Sequence, residues 1–289
     1  MLLSKKRIKQ FYWMTKPGIV YSNVFAATAG YFFGAAGDVH LQTLAALLAG
    51  TALIIACGCV LNNILDVRLD ALMERTKKRA LVTGSITPTI AYIFATILGC
   101  VGVTLLATYT NTLTVVCGVL GLFFYVVVYG YAKRTTVHST LIGTISGALP
   151  PVAGYVAATN QLDIKALLLF LMLVTWQMPH FYAIAIRRID DYKRASIPLL
   201  PIVSGVQTTK RHMQLYIVLF GIVVLLLSTF GGGGIVFGSV MLVVAMRWLY
   251  IAFSTQGVTD KNWAKKVFLF SLVSLVTANS LLILSPYVV

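Results

Sequence analysis

Residues 41–70 read LQTLAALLAGTALIIACGCVLNNILDVRLD. No side chain before Asp66 is charged, and an apolar run of about twenty residues is long enough to cross a hydrocarbon core as a helix. The run ends on Asn62, Asp66 and Asp70, spaced by four. On a helix each step of four turns about 40° past a full circle and rises about 6 Å, so the three side chains line one stripe. Carboxylates near membrane depth are costly and by default mark a function. The segment therefore reads as a membrane-spanning helix whose end carries an oxygen-rich site.

Outward from this segment, comparable apolar runs lie at 18–37, 41–62, 89–107, 112–131, 140–158, 164–183, 213–231, 235–253 and 267–286. The chain has 289 residues, of which 58% are hydrophobic and 11% charged. A soluble domain carries about 25% charged residues, and the alternating pattern of an outer-membrane strand is missing. Soluble and β-barrel classes are thereby excluded. The expected architecture is all-α: a polytopic membrane protein of about nine transmembrane helices around a central cavity open to the cytoplasmic side.

The first run resembles a cleavable leader, with a basic start and Ala27-Thr28-Ala29 as a possible cleavage site. Its apolar character continues through Tyr31-Phe32-Phe33, which favours a retained helix. No Arg- and Ser-rich transit extension precedes it, which points to a bacterial inner membrane. Of the 23 Lys and Arg, all but Lys165 fall on one side of the nine-span arrangement. The positive-inside rule then puts the N-terminus in the cytoplasm and the C-terminus outside. This placement also accounts for the net charge of +15. Cations in short loops at a membrane surface report orientation and anionic-lipid contact, and no nucleic-acid partner is expected.

The two longest inward loops, about 63–88 and 184–212, follow spans that are four apart. This suggests a single domain over 1–289, built from duplicated four-helix halves (18–131 and 140–253) with a ninth helix at 267–286. Gly30-x-x-x-Gly34 and Gly143-x-x-x-Gly147 permit close helix approach in lipid. Pro150-Pro151 should bend or break the fifth span, freeing carbonyls that must face protein or a wet cavity. Cys57, Cys59, Cys100 and Cys117 lie within spans and read as small packing residues.

The chemistry gathers in the inward loops. Oxygen ligands from Asn62, Asp66 and Asp70 suit Mg²⁺, which commonly bridges to substrate phosphates; alternatively, the aspartates pair with Arg68 or Arg75. In Glu74-Arg75-Thr76-Lys77-Lys78-Arg79, the cations Arg75, Lys78 and Arg79 can hold diphosphate oxygens, and Lys133-Arg134 reads the same way. The second loop opens on Trp176-Gln177-Met178-Pro179-His180 and continues through Arg187-Arg188-Ile189-Asp190-Asp191. His180 can act as base, donor or ligand, or as a helix cap. Asp190 and Asp191 offer a second metal site or pair with Arg187 and Arg188. Tyr125 and Tyr129 share a helix face, and with Trp176, Phe181 and Tyr182 they form either an interfacial belt or a cation-stabilising wall.

These residues carry a resemblance. Asn62-x-x-x-Asp66-x-x-x-Asp70 resembles the first aspartate motif of the membrane-embedded prenyltransferases, which include the ubiquinone and menaquinone enzymes. Cys57 to Asn63, Met73 to Arg79, Gly143 to Pro151, Trp176 to His180 and Asp191 to Pro198 resemble the protoheme IX farnesyltransferase (heme O synthase) family along essentially the whole chain. The resemblance implies transfer of the farnesyl group of farnesyl diphosphate to a vinyl group of heme B, with water added and diphosphate released. It implies Mg²⁺ on Asn62, Asp66 and Asp70, with Asp191 a further candidate. Diphosphate would be held among Arg75, Lys78, Arg79, Lys133, Arg134 and Arg188. Heme or the prenyl chain would meet His180, Tyr125, Tyr129 and Tyr182. Heme A synthase and terminal oxidase assembly proteins are the implied protein partners. His180 stands where quinone-type relatives begin a second aspartate motif, so a two-metal arrangement is in doubt and His180 becomes a candidate for heme contact. The rival readings are a quinone-pathway aromatic prenyltransferase and a secondary transporter.

Overall fold

A computed structural model describes residues 5–255 and 257–285. The elements are α1 (Lys5–Met14), α2 (Pro17–Ala35), α3 (Leu41–Leu65), α4 (Val67–Leu72), α5 (Pro88–Tyr109), α6 (Thr112–Phe123), a π-helical turn (Phe124–Val128), α7 (Tyr129–Thr135), α8 (Ser139–Thr159), α9 (Ile164–Arg187), α10 (Ile189–Arg194), α11 (Leu200–Val203), α12 (Gly205–Thr229), α13 (Gly234–Phe253) and α14 (Asp260–Leu284). Among the described residues there is no strand.

Among the described residues eight helices are long and apolar enough to cross a membrane: α3, α5, the continuous Thr112–Thr135 helix, α8, α9, α12, α13 and α14. The expected first span forms as α2, of 19 residues, but Tyr21, Ser22 and Asn23 dilute its apolar character. Most spans extend beyond their hydropathic runs at the cytoplasm-assigned end. The helix expected at 213–231 begins at Gly205, and the one expected at 267–286 begins at Asp260. Polar residues form regular helix as readily as apolar ones do, so hydropathy alone underestimates length.

Adjacent helices pack α3 on α5, α8 on α9 and α12 on α13, while α2 lies along α8 and also touches α14. The core is built around Tyr31, Leu169, Met172, Phe220, Trp248 and Trp263, all almost fully buried. Outward-facing Ile97, Val116, Val243 and Val276 are exposed, as lipid-facing side chains should be. Local signals fix several helix starts. Thr87 caps α5 through the Ile90 amide, Asn111 caps α6 through Thr114, and Asp163 caps α9 through Lys165 and Ala166.

Of the bend or break expected at Pro150-Pro151, the break does not occur: α8 runs unbroken from Ser139 to Thr159. Close backbone packing accompanies the unbroken course. A Cβ on Gly30 would lie 1.9 Å from the Pro151 carbonyl oxygen, and one on Gly154 would lie 2.0 Å from that of Ala27. The carbonyls four residues before the prolines belong to Ser146 and Gly147, and both residues line the central cavity. That is the setting in which unpaired carbonyls are tolerated at membrane depth. Gly30 and Gly34 thus serve helix approach as expected. Gly143 and Gly147 instead make room for the Tyr129 ring and the Gln177 amide.

Candidate active site

The stripe survives folding although the helix changes at its centre. α3 stops at Leu65 and α4 begins at Val67, with Asp66 between them. The amide of Asp66 still donates to Asn62 O at 3.0 Å, and that of Asp70 to Asp66 O at 2.8 Å. Helical register is therefore kept, and Asn62, Asp66 and Asp70 all face one cavity.

Each carboxylate meets cations from elsewhere in the fold. Lys133 Nζ donates to Asp66 Oδ2, and Arg134 Nη2 to Asp66 Oδ1 at 2.9 Å. Arg79 Nη1 donates to Asp70 Oδ2 at 2.5 Å and also reaches Asn63 Oδ1 at 3.2 Å. Thr76 Oγ1 donates to Asp70 O at 2.9 Å, folding the loop so that Arg79 returns to the stripe. Neither Arg68 nor Arg75 is the aspartates' partner in these pairs, although Arg75 does line the cavity.

A fourth cation here was read from the sequence only as part of the inward charge. Lys16 Nζ donates to Asn62 Oδ1 at 2.7 Å and lies 3.4 Å from the Tyr125 hydroxyl. Lys16 has φ 52°, in the left-handed region, a conformation that costs a non-glycine residue about 1–3 kcal/mol. Asn63 Nδ2 donates to Met14 O at 2.9 Å and fixes the chain just before it. Burial of the ammonium holds its pKa below the ordinary lysine value. Its only sequence marker is its place directly before Pro17.

The cavity has a volume of about 410 Å³. Its inner wall is apolar, with Ile54, Leu106, Cys117, Gly118 and Leu122. Between this wall and the charged end, Tyr125 and Tyr129 stack with centroids 5.9 Å apart and planes 11° apart. Lys16 Nζ lies 6.0 Å from the Tyr125 centroid and Lys133 Nζ 5.4 Å from that of Tyr129. These two tyrosines are cavity residues and not part of an interfacial belt.

The opposite wall comes from α9. Trp176, Gln177, His180, Phe181 and Ile184 line it, joined by Leu275 of α14. The His180 ring stacks on Trp176 at 4.7 Å, and its Nδ1 lies 2.7 Å from Ser271 Oγ. Tyr182, two residues on, points into the core, with its ring 6.5 Å from that of His212. It does not line the cavity, and neither do Lys78, Arg188, Asp190 or Asp191.

Asp191 is buried and already engaged. It accepts from the Glu74 amide at 3.0 Å and pairs with Arg194. Asp190 pairs with Lys261 at 2.7 Å. The second carboxylate pair therefore ties loops together, joining α10 to the 73–74 turn and to α14. Among the described residues no three His, Cys, Asp or Glu side chains gather as a metal cluster. The Asn62-Asp66-Asp70 set nevertheless suits a hard cation. Its oxygens are of the right kind, and buried Asn62 Nδ2, an N–H donor with no hydrogen-bond partner, suits a phosphate oxygen beside the metal.

Known proteins share both the sequence and the fold of this chain. The chain is 45% identical over 277 residues to protoheme IX farnesyltransferase 2 of Pseudomonas fluorescens, covering 95% of this chain and 94% of that one. It is 44% identical over 273 residues to the protoheme IX farnesyltransferase of an Enterobacter species, covering 94% and 92%. Among solved structures it superposes on a digeranylgeranylglyceryl phosphate synthase with TM-score 0.79 at 18% identity, covering 96% and 98%. It superposes on a UbiA homolog from Archaeoglobus fulgidus bound to GPP and Mg²⁺ with TM-score 0.65 at 15% identity, covering 94% and 99%. The sequence profile of the UbiA prenyltransferase family matches residues 23–273, and the chain belongs to that family.

Proposed function

We propose that the protein transfers the farnesyl group of farnesyl diphosphate to a vinyl group of heme B, adds water at the same position, and releases heme O and diphosphate. The observation that carries this reading is a single cavity joining the aspartate and cation cluster to the His180–Trp176 wall. The names of relatives 45% and 44% identical to it supply the acceptor.

Lys16, Arg79 and Lys133 line the charged end of the cavity, where Lys16 donates to Asn62, Arg79 pairs with Asp70 and Lys133 with Asp66; Arg134, which does not line it, also pairs with Asp66. That surplus of positive charge suits a diphosphate. As it enters, the cations exchange aspartate oxygens for phosphate oxygens, leaving Asp66 and Asp70 free to ligate. Mg²⁺ held by Asp66 and Asp70, with Asn62 beside them, would stabilise charge developing on the leaving diphosphate. The apolar wall takes the prenyl tail. The faces of Tyr125 and Tyr129 stabilise the allylic cation left when the bond to oxygen breaks. The electron-rich vinyl group attacks that cation from the His180 side. Flat Trp176 and Phe181 suit the porphyrin there, and a histidine in place of a carboxylate removes a negative charge from the vicinity of the propionates.

The same reading places the protein in a bacterial inner membrane with nine crossings, the N-terminus and the charged end of the cavity facing the cytoplasm. Heme A synthase and terminal oxidase assembly proteins fit downstream as recipients of the product. Purified protein in nanodiscs, given heme B, farnesyl diphosphate and Mg²⁺, should yield heme O by mass spectrometry. Prenylation of a quinone-ring acceptor in place of heme would overturn the proposal.

A further inference from the structure

We infer that Ser271 sets the tautomer of His180, and that the bare Nε2 so presented takes the proton from the water added to the heme-side carbocation. The inference rests on the heme-farnesylation reading above and assigns a residue to its hydration step.

Ser271, on α14, is fully buried and holds two rings of α9. Its carbonyl accepts from Trp176 Nε1 at 2.8 Å, and its hydroxyl lies 2.7 Å from His180 Nδ1. A serine hydroxyl has one proton to give, and that of Ser271 is given to Phe268 O at 2.6 Å. The hydrogen bond to His180 must then run the other way, with Nδ1–H donating to the serine oxygen. In a neutral imidazole this leaves Nε2 unprotonated, as a lone pair. The ring is also held in plane by Trp176 and by Phe268, whose centroid is 5.0 Å away.

Nothing else in the described wall of the cavity offers such a base. His180 is its one histidine. Gln177 spends its amide on the Thr144 and Leu173 carbonyls. The carboxylates of Asp66 and Asp70 are held by cations at the diphosphate end.

The step balances as follows. The terminal vinyl carbon gives its π pair to C1 of the farnesyl group, forming the carbon–carbon bond as diphosphate leaves with the former C–O pair. The positive charge then sits on the vinyl carbon attached to the porphyrin, which stabilises it. A water oxygen bonds to that carbon, and one of its protons passes to His180 Nε2 and then to solvent. Without a base for water, the cation instead loses a proton from the new adjacent methylene to the departing diphosphate. The product is then an alkene lighter by one water.

The test is the product ratio, hydrated to dehydrated prenyl heme, measured by mass spectrometry for protein in nanodiscs with heme B, farnesyl diphosphate and Mg²⁺. His180→Asn keeps an N–H for Ser271 and removes the base. It should shift the ratio toward the alkene by about 100-fold, the lower end of a general-base contribution, with farnesyl diphosphate binding unchanged. Ser271→Ala releases the tautomer without deleting the imidazole and should shift the ratio in the same direction by about 10-fold. A purely structural serine would lower the rate and leave the ratio alone. Hydrated product at the wild-type ratio from both variants overturns the inference. So does complete loss of both products in His180→Asn with diphosphate binding intact, since that places His180 at bond formation. Absence of any prenyl heme from the wild-type protein would instead refute the underlying reading.

Discussion

Asp66 and Asp70 occupy equivalent places on the stripe but have different partners, Lys133 with Arg134 and Arg79 respectively. On the proposed mechanism, each variant, Asp66→Asn or Asp70→Asn, removes a charged ligand for Mg²⁺ and also the partner of a cation assigned to diphosphate. Each should lower kcat by at least about 100-fold, on the scale of a lost transition-state electrostatic contact, while insertion into membranes continues. Steady-state kinetics over a Mg²⁺ series checks this; full activity of both variants in excess chelator would sink the metal assignment. Asp191 is placed differently, its Oδ1 accepting from both the Glu74 amide and Arg194. We expect Asp191→Asn to lower thermal stability and leave the Mg²⁺ dependence of turnover unchanged; a change in apparent metal affinity would restore a second metal site. The stripe was legible because a period of four is a local property of sequence. Lys16 and Ser271 were not. One reaches the site through a left-handed turn fixed by Asn63, and the other through a contact between helices remote in sequence. Tyr182 misled for a related reason: two positions after His180 on a helix, a side chain points to another face.

The helices themselves were largely readable, since apolar runs of fixed length have few other uses in a chain with this little charge. What periodicity could not supply was contact between them. The α2–α8 crossing relies on Gly30 and Gly154, and the backbones meet so closely that no side chain fits. Pro150-Pro151 read as a bend or break because two consecutive amide donors are missing. The partner helix packed against them was not visible in sequence. Gly30→Val should therefore be far more damaging than Gly18→Val, because the carbonyl of Pro151 cannot withdraw without moving α8, whereas nothing lies within 4 Å of a Cβ at Gly18. We expect Gly30→Val to cost about 1–3 kcal/mol or more of stability, as overpacking does, seen as a lower melting temperature in detergent. Equal melting of the two variants would show that the crossing is loose.

At the scale of the molecule, the proposed count of nine crossings turns on α2, which joins the eight long apolar helices among the described residues. Its polarity has a physical explanation. Ser22 and Asn23 line the cavity, while Ala26, Ala27, Ala29 and Gly30 are buried, so little of this helix needs to satisfy lipid. At about 1.5 Å per residue, its 19 residues span roughly 28 Å, close to the hydrocarbon thickness of about 30 Å. A helix of this kind crosses by packing on its neighbours, and hydropathy underrates it. If α2 crosses, its two ends face opposite sides. Native cysteines complicate the test little, since Cys57, Cys59 and Cys117 are buried and Cys100 lies within the α5 span; all four can be replaced first. Single cysteines at exposed Lys9, Lys78 and Lys193 should then react with a membrane-impermeant maleimide only in inside-out vesicles. Cysteines at exposed Asp38 and Gln161 should react only in right-side-out cells. Labelling of Lys9 and Asp38 from the same side would reduce the crossings to eight. Labelling of Lys78 from outside would turn the charged end of the cavity away from the cytoplasm and undo the orientation. With the two ends of α2 on opposite sides as proposed, Lys16, which donates to Asn62, would stand at the cytoplasmic rim, within reach of the diphosphate headgroup of the proposed substrate.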